Sequence, residues 1–167
     1  MPILKLDAID RRILAALQRD GRLTNVELAE EVGLSPSPCL RRVRMLEKAG
    51  VIRGYHAALD RGGIGLGLTV FVGIKVEQHR DEAAAAFREA VQSLPEVISC
   101  HLVSGEADFL LQVAVPDLAA YERLLLDALL RLPGVSDIRS NFAIQTVKAA
   151  GALPLDHLPA ATGPQTP

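Results

Sequence analysis

The stretch TNVELAEEVGLSPSPCLRRVRMLEK, residues 24–48, decides the fold of the N-terminal part of the chain. Thr24 can cap a helix, because its hydroxyl can accept a hydrogen bond from the Glu27 amide while the Glu27 carboxylate accepts one from the Thr24 amide. Gly33 can end that helix, since glycine adopts the left-handed conformation without strain. The stretch therefore predicts a short helix with a defined beginning and end.

A second helix is predicted to begin within Ser35-Pro36-Ser37-Pro38. A residue before a proline avoids the helical region, and proline fits the first helical position, so Ser37 is the predicted N-cap and Pro38 the first helical residue. Two helices joined by a short glycine turn have the form of a helix-turn-helix. An amphipathic helix capped by Asp7 precedes them, so the N-terminal part is predicted as a three-helix domain.

The helix after Ser37 has two different faces. At about 100° per residue, Cys39, Val43 and Leu46 share an apolar face that can pack inward. The opposite side, the flanks and the ends of the helix carry the candidate DNA-binding residues, which are Ser35, Ser37, Pro38, Arg41, Arg42, Arg44, Lys48 and Arg53.

Duplex DNA is the partner that this chemistry indicates. Guanidinium groups match both phosphate oxygens and the guanine edge. Arg41 and Arg44, near the middle of the exposed face, are predicted to contact base edges, and Ser37 and Arg42 are predicted to contact backbone phosphates. The alternatives are a basic face that contacts only solvent and a Ser37 that only caps the helix.

The charge is divided unevenly along the chain. The sequence has 18 Lys and Arg against 20 Asp and Glu, a net charge of −2, which excludes a protein covered uniformly with positive charge. Residues 1–60 nevertheless carry ten Lys and Arg against eight Asp and Glu. The predicted segments are a helix-turn-helix domain over residues 1–50, a linker strand and glycine-rich hinge over 51–67, a second domain over 68–148, and a loose proline-rich tail over 149–167.

In the second half of the chain, short runs typical of β-strands alternate with two helical segments. The predicted strands are Val51–Leu59 in the linker, then Leu68–Val76, Val97–Val103, Phe109–Val115 and Val135–Val147, with helices over residues 81–94 and after Asp117. This order is a ferredoxin-like βαββαβ unit with both helices on one face, so the chain is predicted to be α+β. A second copy can cover the other face, in agreement with a mean hydropathy of +0.22.

The turn between the middle strands is a candidate ligand site. It contains Ser104, Gly105, Glu106 and Asp108. Backbone amides near Gly105 can hold an anion and Asp108 a cation, and an α-amino acid carries both charges on one carbon. The alternative is an ordinary hairpin turn, in which glycine and aspartate are common.

No catalytic, metal or cofactor site is predicted. Cys39 and Cys100 lie far apart without a C-x-x-C, the four histidines lack metal-ligand spacing, and no phosphate loop, dinucleotide fingerprint or nucleophile elbow occurs. The longest apolar run is too short for a membrane span, and the N-terminus does not have the form of a secretory signal. A cytoplasmic protein is expected.

The sequence resembles the Lrp/AsnC (feast/famine) family of bacterial and archaeal transcription regulators over about residues 4–150. The matching stretches are Leu6-Asp7, Asp10-Arg11-Arg12-Ile13-Leu14, residues 34–43, residues 46–55, the Gly105-x-x-Asp108 turn and Leu132-Pro133-Gly134-Val135. The likeness is greatest to the leucine-responsive or branched-chain-responsive members.

The resemblance implies a function for both halves. It implies an N-terminal DNA-binding domain, an amino-acid-sensing and oligomerisation domain over 68–148, and homodimers that assemble into octamers. It places a small amino-acid effector, such as a branched-chain one, against Ser104, Gly105, Glu106 and Asp108, and also against Ser140 on the last strand. The sequence is therefore interpreted as a transcriptional regulator and not as an enzyme.

Two other functions fit the same scaffold. Siroheme decarboxylases resemble this family, and His101 is the strand histidine that could serve such an enzyme. An amino-acid-binding module that has lost DNA binding is the other alternative, against which the intact arginine face argues.

Overall fold

The computed structural model describes residues 5–77, 81–149 and 151–159, and of residues 81–84 the backbone alone. The elements are, in chain order, α1 (Ala8–Arg19), α2 (Asn25–Val32), α3 (Pro36–Lys48), β1 (Leu68–Val76), α4 (Asp81–Gln92), β2 (Val97–Leu102), β3 (Phe109–Val115), α5 (Leu118–Asp127), a 3-10 turn (Leu129–Arg131) and β4 (Val135–Phe142). The described residues up to Ala58 and from Lys148 onward form an N-terminal unit, and Leu59–Val147 form a sheet unit. The predicted α+β class is confirmed.

The three helices of the N-terminal unit begin and end largely where the sequence predicts. At α2, Thr24 Oγ1 accepts from the Glu27 amide at 3.3 Å, and the Thr24 amide donates to Glu27 Oε2 at 2.7 Å. Gly33 ends the helix at φ +71° in the left-handed region. Ile13, Leu28 and other apolar side chains of the helices are buried in one shared core.

The beginning of α3 differs from the prediction. Ser35, not Ser37, is the N-cap, and Pro36 and Pro38 both lie in the first turn. The first four amides of a helix have no partner within it, so the two prolines, which lack an N–H, cost the helix no hydrogen bond there. The helix thus begins two residues earlier than predicted, and Ser37 is a helical residue with an exposed side chain.

The sheet unit has the predicted βαββαβ order. Its four strands lie in the order β2-β3-β1-β4, and every neighbouring pair is antiparallel. Val70, Val72 and Ile74 on β1 are fully buried in the core that packs against the helices. The alternate residues Phe71 and Gly73 lie on the opposite face, because successive side chains of a strand point to opposite sides.

One predicted strand is absent and another is shorter than predicted, and both depend on a pairing partner. Val51–Leu59 is not a strand, because residues 53–59 make no backbone hydrogen bond to any residue that the structure describes. The last strand ends at Phe142 rather than Val147. Ala143 still donates its amide to the Thr69 carbonyl, but β1 begins at Leu68, so at most one further residue could pair, and residues 145–147 have no partner in β1. A strand pattern forms a strand only where a ladder partner exists.

The loose tail predicted from Ala149 is wrong for residues 151–159. Leu155 and Leu158 pack against the core of the N-terminal unit. Gln18 of α1 bonds the backbone of Leu153 in both directions, accepting from its amide at 2.6 Å and donating to its carbonyl at 3.2 Å. Asp156 forms an ion pair with Arg11. The rest of the predicted tail, residues 150 and 160–167, lies outside the described residues.

None of the helices that the structure describes is both long enough and apolar enough to pass through a membrane.

Candidate DNA-binding and effector sites

α3 presents a basic face on the surface of the N-terminal unit. Its opposite side is fixed in the core, where Cys39 and Leu46 are fully buried, as predicted. The side chains of Arg41, Arg44 and Lys48 are exposed. Of the other candidate residues, Ser35, Ser37 and Arg53 are exposed, and Pro38 and Arg42 are half-buried.

The cations of this face are available to a ligand. Among the ion pairs between described residues, none involves Arg41, Arg44 or Lys48. The single carboxylate on α3, Glu47, accepts a hydrogen bond from the Tyr55 hydroxyl at 3.1 Å. Burial, and then the bond to Glu47, raise the pKa of Tyr55. The helix therefore offers guanidinium and ammonium groups to an anionic partner.

Arg42 and Arg53 are placed differently from the rest. Arg42 Nη1 donates to Asp7 Oδ2 and Asp10 Oδ1, both at 2.8 Å, so its guanidinium faces α1. Arg53 lies beyond the end of α3 and lines a cavity of about 620 Å³ between α1, residues 51–56 and the tail. DNA contacts by these two residues stay predictions.

A residue that sequence reasoning missed fixes the turn before α3. The side-chain Nδ2 of Asn25, in the first turn of α2, donates to the Pro36 carbonyl at 2.8 Å. The Leu34 amide donates to the Ala29 carbonyl at 2.8 Å behind Gly33. These bonds join the beginning of α3 to α2. An asparagine just after a helix cap was the available signal, but its partner lies 11 residues away.

The candidate effector turn joins β2 to β3 and exposes Ser104, Gly105 and Glu106. Gly105 has φ +126°, a conformation that favours glycine, and a Cβ there would meet no atom within 4 Å. Asp108 is half-buried, and its Oδ2 accepts from the Val76 amide at 2.9 Å. Part of its carboxylate therefore holds the turn against β1.

Arg139 on β4 is the second residue that sequence reasoning did not assign to this turn. It forms ion pairs with Glu106 of the turn and, at 3.4 Å, with Asp137. Gly73 of β1 is the ladder partner of Arg139. A Cβ at Gly73 would come within 3.2 Å of the Cβ of Ala107, which belongs to the turn. The absence of a side chain at Gly73 thus lets the turn lie over the open face of the sheet.

Ser140 is not brought together with the turn. It pairs with Val72, whose side chain is buried on the helix-covered face, whereas Arg139 pairs with Gly73. The Ser140 hydroxyl is hydrogen-bonded to the Tyr121 hydroxyl at 2.5 Å and lines a cavity of about 480 Å³ beside Leu118 and Phe142. The two parts of the predicted effector site therefore lie on opposite faces of one sheet.

Other reactive side chains form no evident site. Within residues 5–77, 81–149 and 151–159, no three His, Cys, Asp or Glu residues are grouped to hold a metal ion. Burial raises the pKa of both thiols, Cys39 and Cys100. His101 is exposed on β2, opposite Leu110 of β3.

Comparison with known proteins gives a separate family match for each half of the chain. Residues 6–53 match a winged helix-turn-helix DNA-binding domain, and residues 69–153 match the Lrp/AsnC ligand binding domain. Leucine-responsive regulatory proteins of Klebsiella pneumoniae and Escherichia coli strain K12 are each 50% identical over 148 residues, which cover 89% of this chain and 90% of theirs.

Solved structures show the same fold. A transcriptional regulator of Neisseria meningitidis in complex with L-Met has a TM-score of 0.87 and 45% identity, over 91% of this chain and 98% of its own. An AsnC family transcriptional regulator of Agrobacterium tumefaciens has a TM-score of 0.86 and 40% identity, over 91% and 99%. The chain therefore belongs to the Lrp/AsnC family and is a ligand-responsive transcriptional regulator, with a helix-turn-helix unit that binds DNA and a βαββαβ unit that binds the ligand.

Proposed function

We propose that α3 reads duplex DNA in the major groove through Arg41 and Arg44. The observation that carries this proposal is the pair of exposed guanidinium groups on the side of α3 opposite the buried Cys39 and Leu46. Lys48, Ser35, Ser37 and Pro38 lie along or beside the same face and supply backbone contacts. A bidentate arginine discriminates guanine from other bases, so these two residues set the sequence preference.

The test is duplex binding by the Arg41→Ala/Arg44→Ala variant. The probe is a duplex selected from a random-sequence pool with the wild-type protein. We expect about a hundredfold weaker binding and loss of the sequence preference. The matched control, Arg88→Ala/Arg123→Ala, removes the same charge from exposed positions of the sheet unit. Equal affinity of the two double variants would overturn the proposal.

The effector in this proposal is a small apolar α-amino acid held at the turn of residues 104–108. Exposed amides around Gly105 bind its carboxylate, and Glu106 and Asp108 face its ammonium group. L-Met is bound in the Neisseria structure, and relatives at 50% identity are named leucine-responsive. We therefore place leucine and methionine in the expected class of ligands.

A ligand that binds the native state raises the unfolding midpoint by mass action. We expect leucine or methionine to raise it, and Ser104→Ala or Glu106→Gln to reduce that shift. The same measurement on Ser140→Ala tests the separate prediction that Ser140 contacts the effector. No shift with any of the twenty amino acids would contradict this assignment.

The proposal includes self-association in the cytoplasm, where the DNA is. Within the part of the sheet unit that the structure describes, no helix lies against the face that carries Gly73, and 39% of Phe71 on that face is exposed. A second copy covers this face, and dimers of this kind assemble further into octamers. Sedimentation equilibrium tests this, with Phe71→Glu expected to lower the association state.

We propose no catalytic activity. His101, the residue on which a siroheme-decarboxylase reaction would depend, is exposed on β2. Incubation with siroheme discriminates the two functions: a regulator leaves the tetrapyrrole spectrum unchanged, whereas an enzyme of that class takes up the pigment.

A further inference from the structure

Asp10 is the one charged side chain that is buried among the residues the structure describes, with 2% of its surface exposed. It lies in the first turn of α1 and is bound by Arg42 of α3, a residue 32 positions further along the chain. Burying a carboxylate is unfavourable unless an opposite charge and hydrogen bonds compensate for the lost water, so Asp10 depends on its bond to Arg42.

Arg42, the partner of Asp10, joins the middle of α3 to the capping groups of α1. Asp7 and Asp10 form the capping box of α1, in which Asp7 Oδ1 accepts from the amides of Ile9 and Asp10, and Asp10 Oδ2 accepts from the Asp7 amide. The two remaining carboxylate oxygens both accept from Arg42 Nη1 at 2.8 Å. All four oxygens are therefore satisfied only when α3 presents Arg42 to the beginning of α1.

Such a bridge restricts how α3 can rotate. Apolar contacts such as those of Cys39 and Leu46 are not directional, whereas charge-assisted hydrogen bonds are short and depend on angle. A side-chain tip about 6 Å from a helix axis moves about 2 Å when the helix rotates by about 20°. That displacement is several times the range of lengths of a good hydrogen bond to a base.

We propose that Arg42 is a positioning residue for DNA recognition, which fixes the rotation of α3 through Asp7 and Asp10 and so aims Arg41 and Arg44 at the bases. The inference rests on the proposed function of α3 and replaces a phosphate contact as the main role of Arg42. Asp7 and Asp10 act in it without touching DNA.

The decisive variant is Asp10→Asn, because the two roles of Arg42 predict opposite signs. Removing a negative charge from a DNA-binding protein strengthens attraction to phosphates, and it would also release Arg42 for a phosphate contact. Positioning predicts about tenfold weaker binding to the selected duplex and little change on a scrambled duplex of the same composition. The ratio of the two affinities therefore falls.

The salt dependence of binding separates the roles a second time. Loss of a phosphate contact lowers the slope of log affinity against log salt by about 0.9, whereas loss of a positioning bridge leaves the slope unchanged. We expect Arg42→Ala to lower affinity for the selected duplex with an unchanged slope. Arg42→Lys keeps one charged donor and is expected to restore part of the sequence preference.

Glu31→Gln is the matched control, because it neutralises another carboxylate that pairs with an arginine of α1 and has no bond to α3. We expect it to leave the affinity ratio unchanged. The double variant Asp10→Asn/Arg42→Ala should bind no more weakly than Arg42→Ala, since both changes break one bridge. If Asp10→Asn does not fold, Asp7→Asn keeps a good N-cap and weakens the same bridge.

The possible failures are distinguishable. If Arg41→Ala/Arg44→Ala leaves binding unchanged, the proposed function of α3 is wrong. If that variant abolishes recognition while Asp10→Asn binds the selected duplex as tightly as the wild type or more tightly, the positioning role alone is overturned. A slope reduced by about one unit in Arg42→Ala would assign Arg42 to phosphate contact instead.

Discussion

At the scale of single residues, charged groups of the N-terminal unit divide into those held by the protein and those left for a ligand. Arg42, Asp7 and Asp10 are bound to one another, whereas Arg41 and Arg44 form no ion pair among the described residues. The helical period predicts which residues are outside, because it depends on neighbours in sequence. It does not predict the partner of Arg42, since Asp7 lies 35 positions earlier.

Asp7 gives this network a pH dependence. Burial opposes its charge, but the amide of Asp10 and the guanidinium of Arg42 outweigh this and hold the pKa of Asp7 below its ordinary value of 3.8. A carboxyl group with a depressed pKa in the folded state contributes stability above its unfolded pKa, and this contribution is lost as the pH falls through the folded value.

We therefore expect the difference in unfolding free energy between the wild type and Asp7→Asn to be largest above about pH 5 and to vanish in acid. Urea unfolding of both proteins at several pH values measures it. In the Arg42→Ala background, Asp7→Asn should change the unfolding free energy less, because the guanidinium that helps to lower the pKa of Asp7 is absent. A difference that grows toward low pH would contradict this account.

At the scale of elements, local signals predict boundaries well where the partners are near in sequence. The capping box at Thr24 and the left-handed Gly33 define α2 within its own residues. The strand predicted at Val51–Leu59 fails because a strand depends on a distant ladder partner, and no part of the pattern shows whether that partner exists. The position of Ser140 depends in the same way on a distant residue, because its ladder partner Val72 decides which side of the sheet it faces.

The turn between α2 and α3 is strained for any residue but glycine. Gly33 has φ +71°, and a Cβ there would meet no atom within 4 Å, so a side chain costs backbone strain without a clash. We expect Gly33→Ala to destabilise the N-terminal unit by about 1 kcal/mol, and Gly33→Asn by less. Chemical unfolding measures both. Gly151→Ala, also in open space but without a positive φ, should be neutral.

At the scale of the whole molecule, the chain contributes to its N-terminal unit twice. It leaves this unit after Ala58, forms the sheet unit and returns at Lys148. The proline-rich composition of the last segment indicates a loose tail, but Leu155 and Leu158 pack against the three-helix core and Asp156 pairs with Arg11. Composition describes the average of a segment, so it does not predict that a few of its residues contact partners far away in the sequence.

The returning segment should therefore stabilise the helices with which it packs. Leu155→Asp is expected to destabilise the N-terminal unit by about 1–2 kcal/mol, because it places a charge where a half-buried leucine contacts the core. Leu153→Asp is the matched control, since Leu153 is 73% exposed and binds Gln18 through its backbone alone. Amide hydrogen exchange resolves the two units, and protection should fall in α1 for Leu155→Asp while β1 and β3 remain protected. If the two substitutions lower protection in α1 equally, the packing of Leu155 contributes nothing measurable to stability. The N-terminal unit would then be stabilised by its three helices alone.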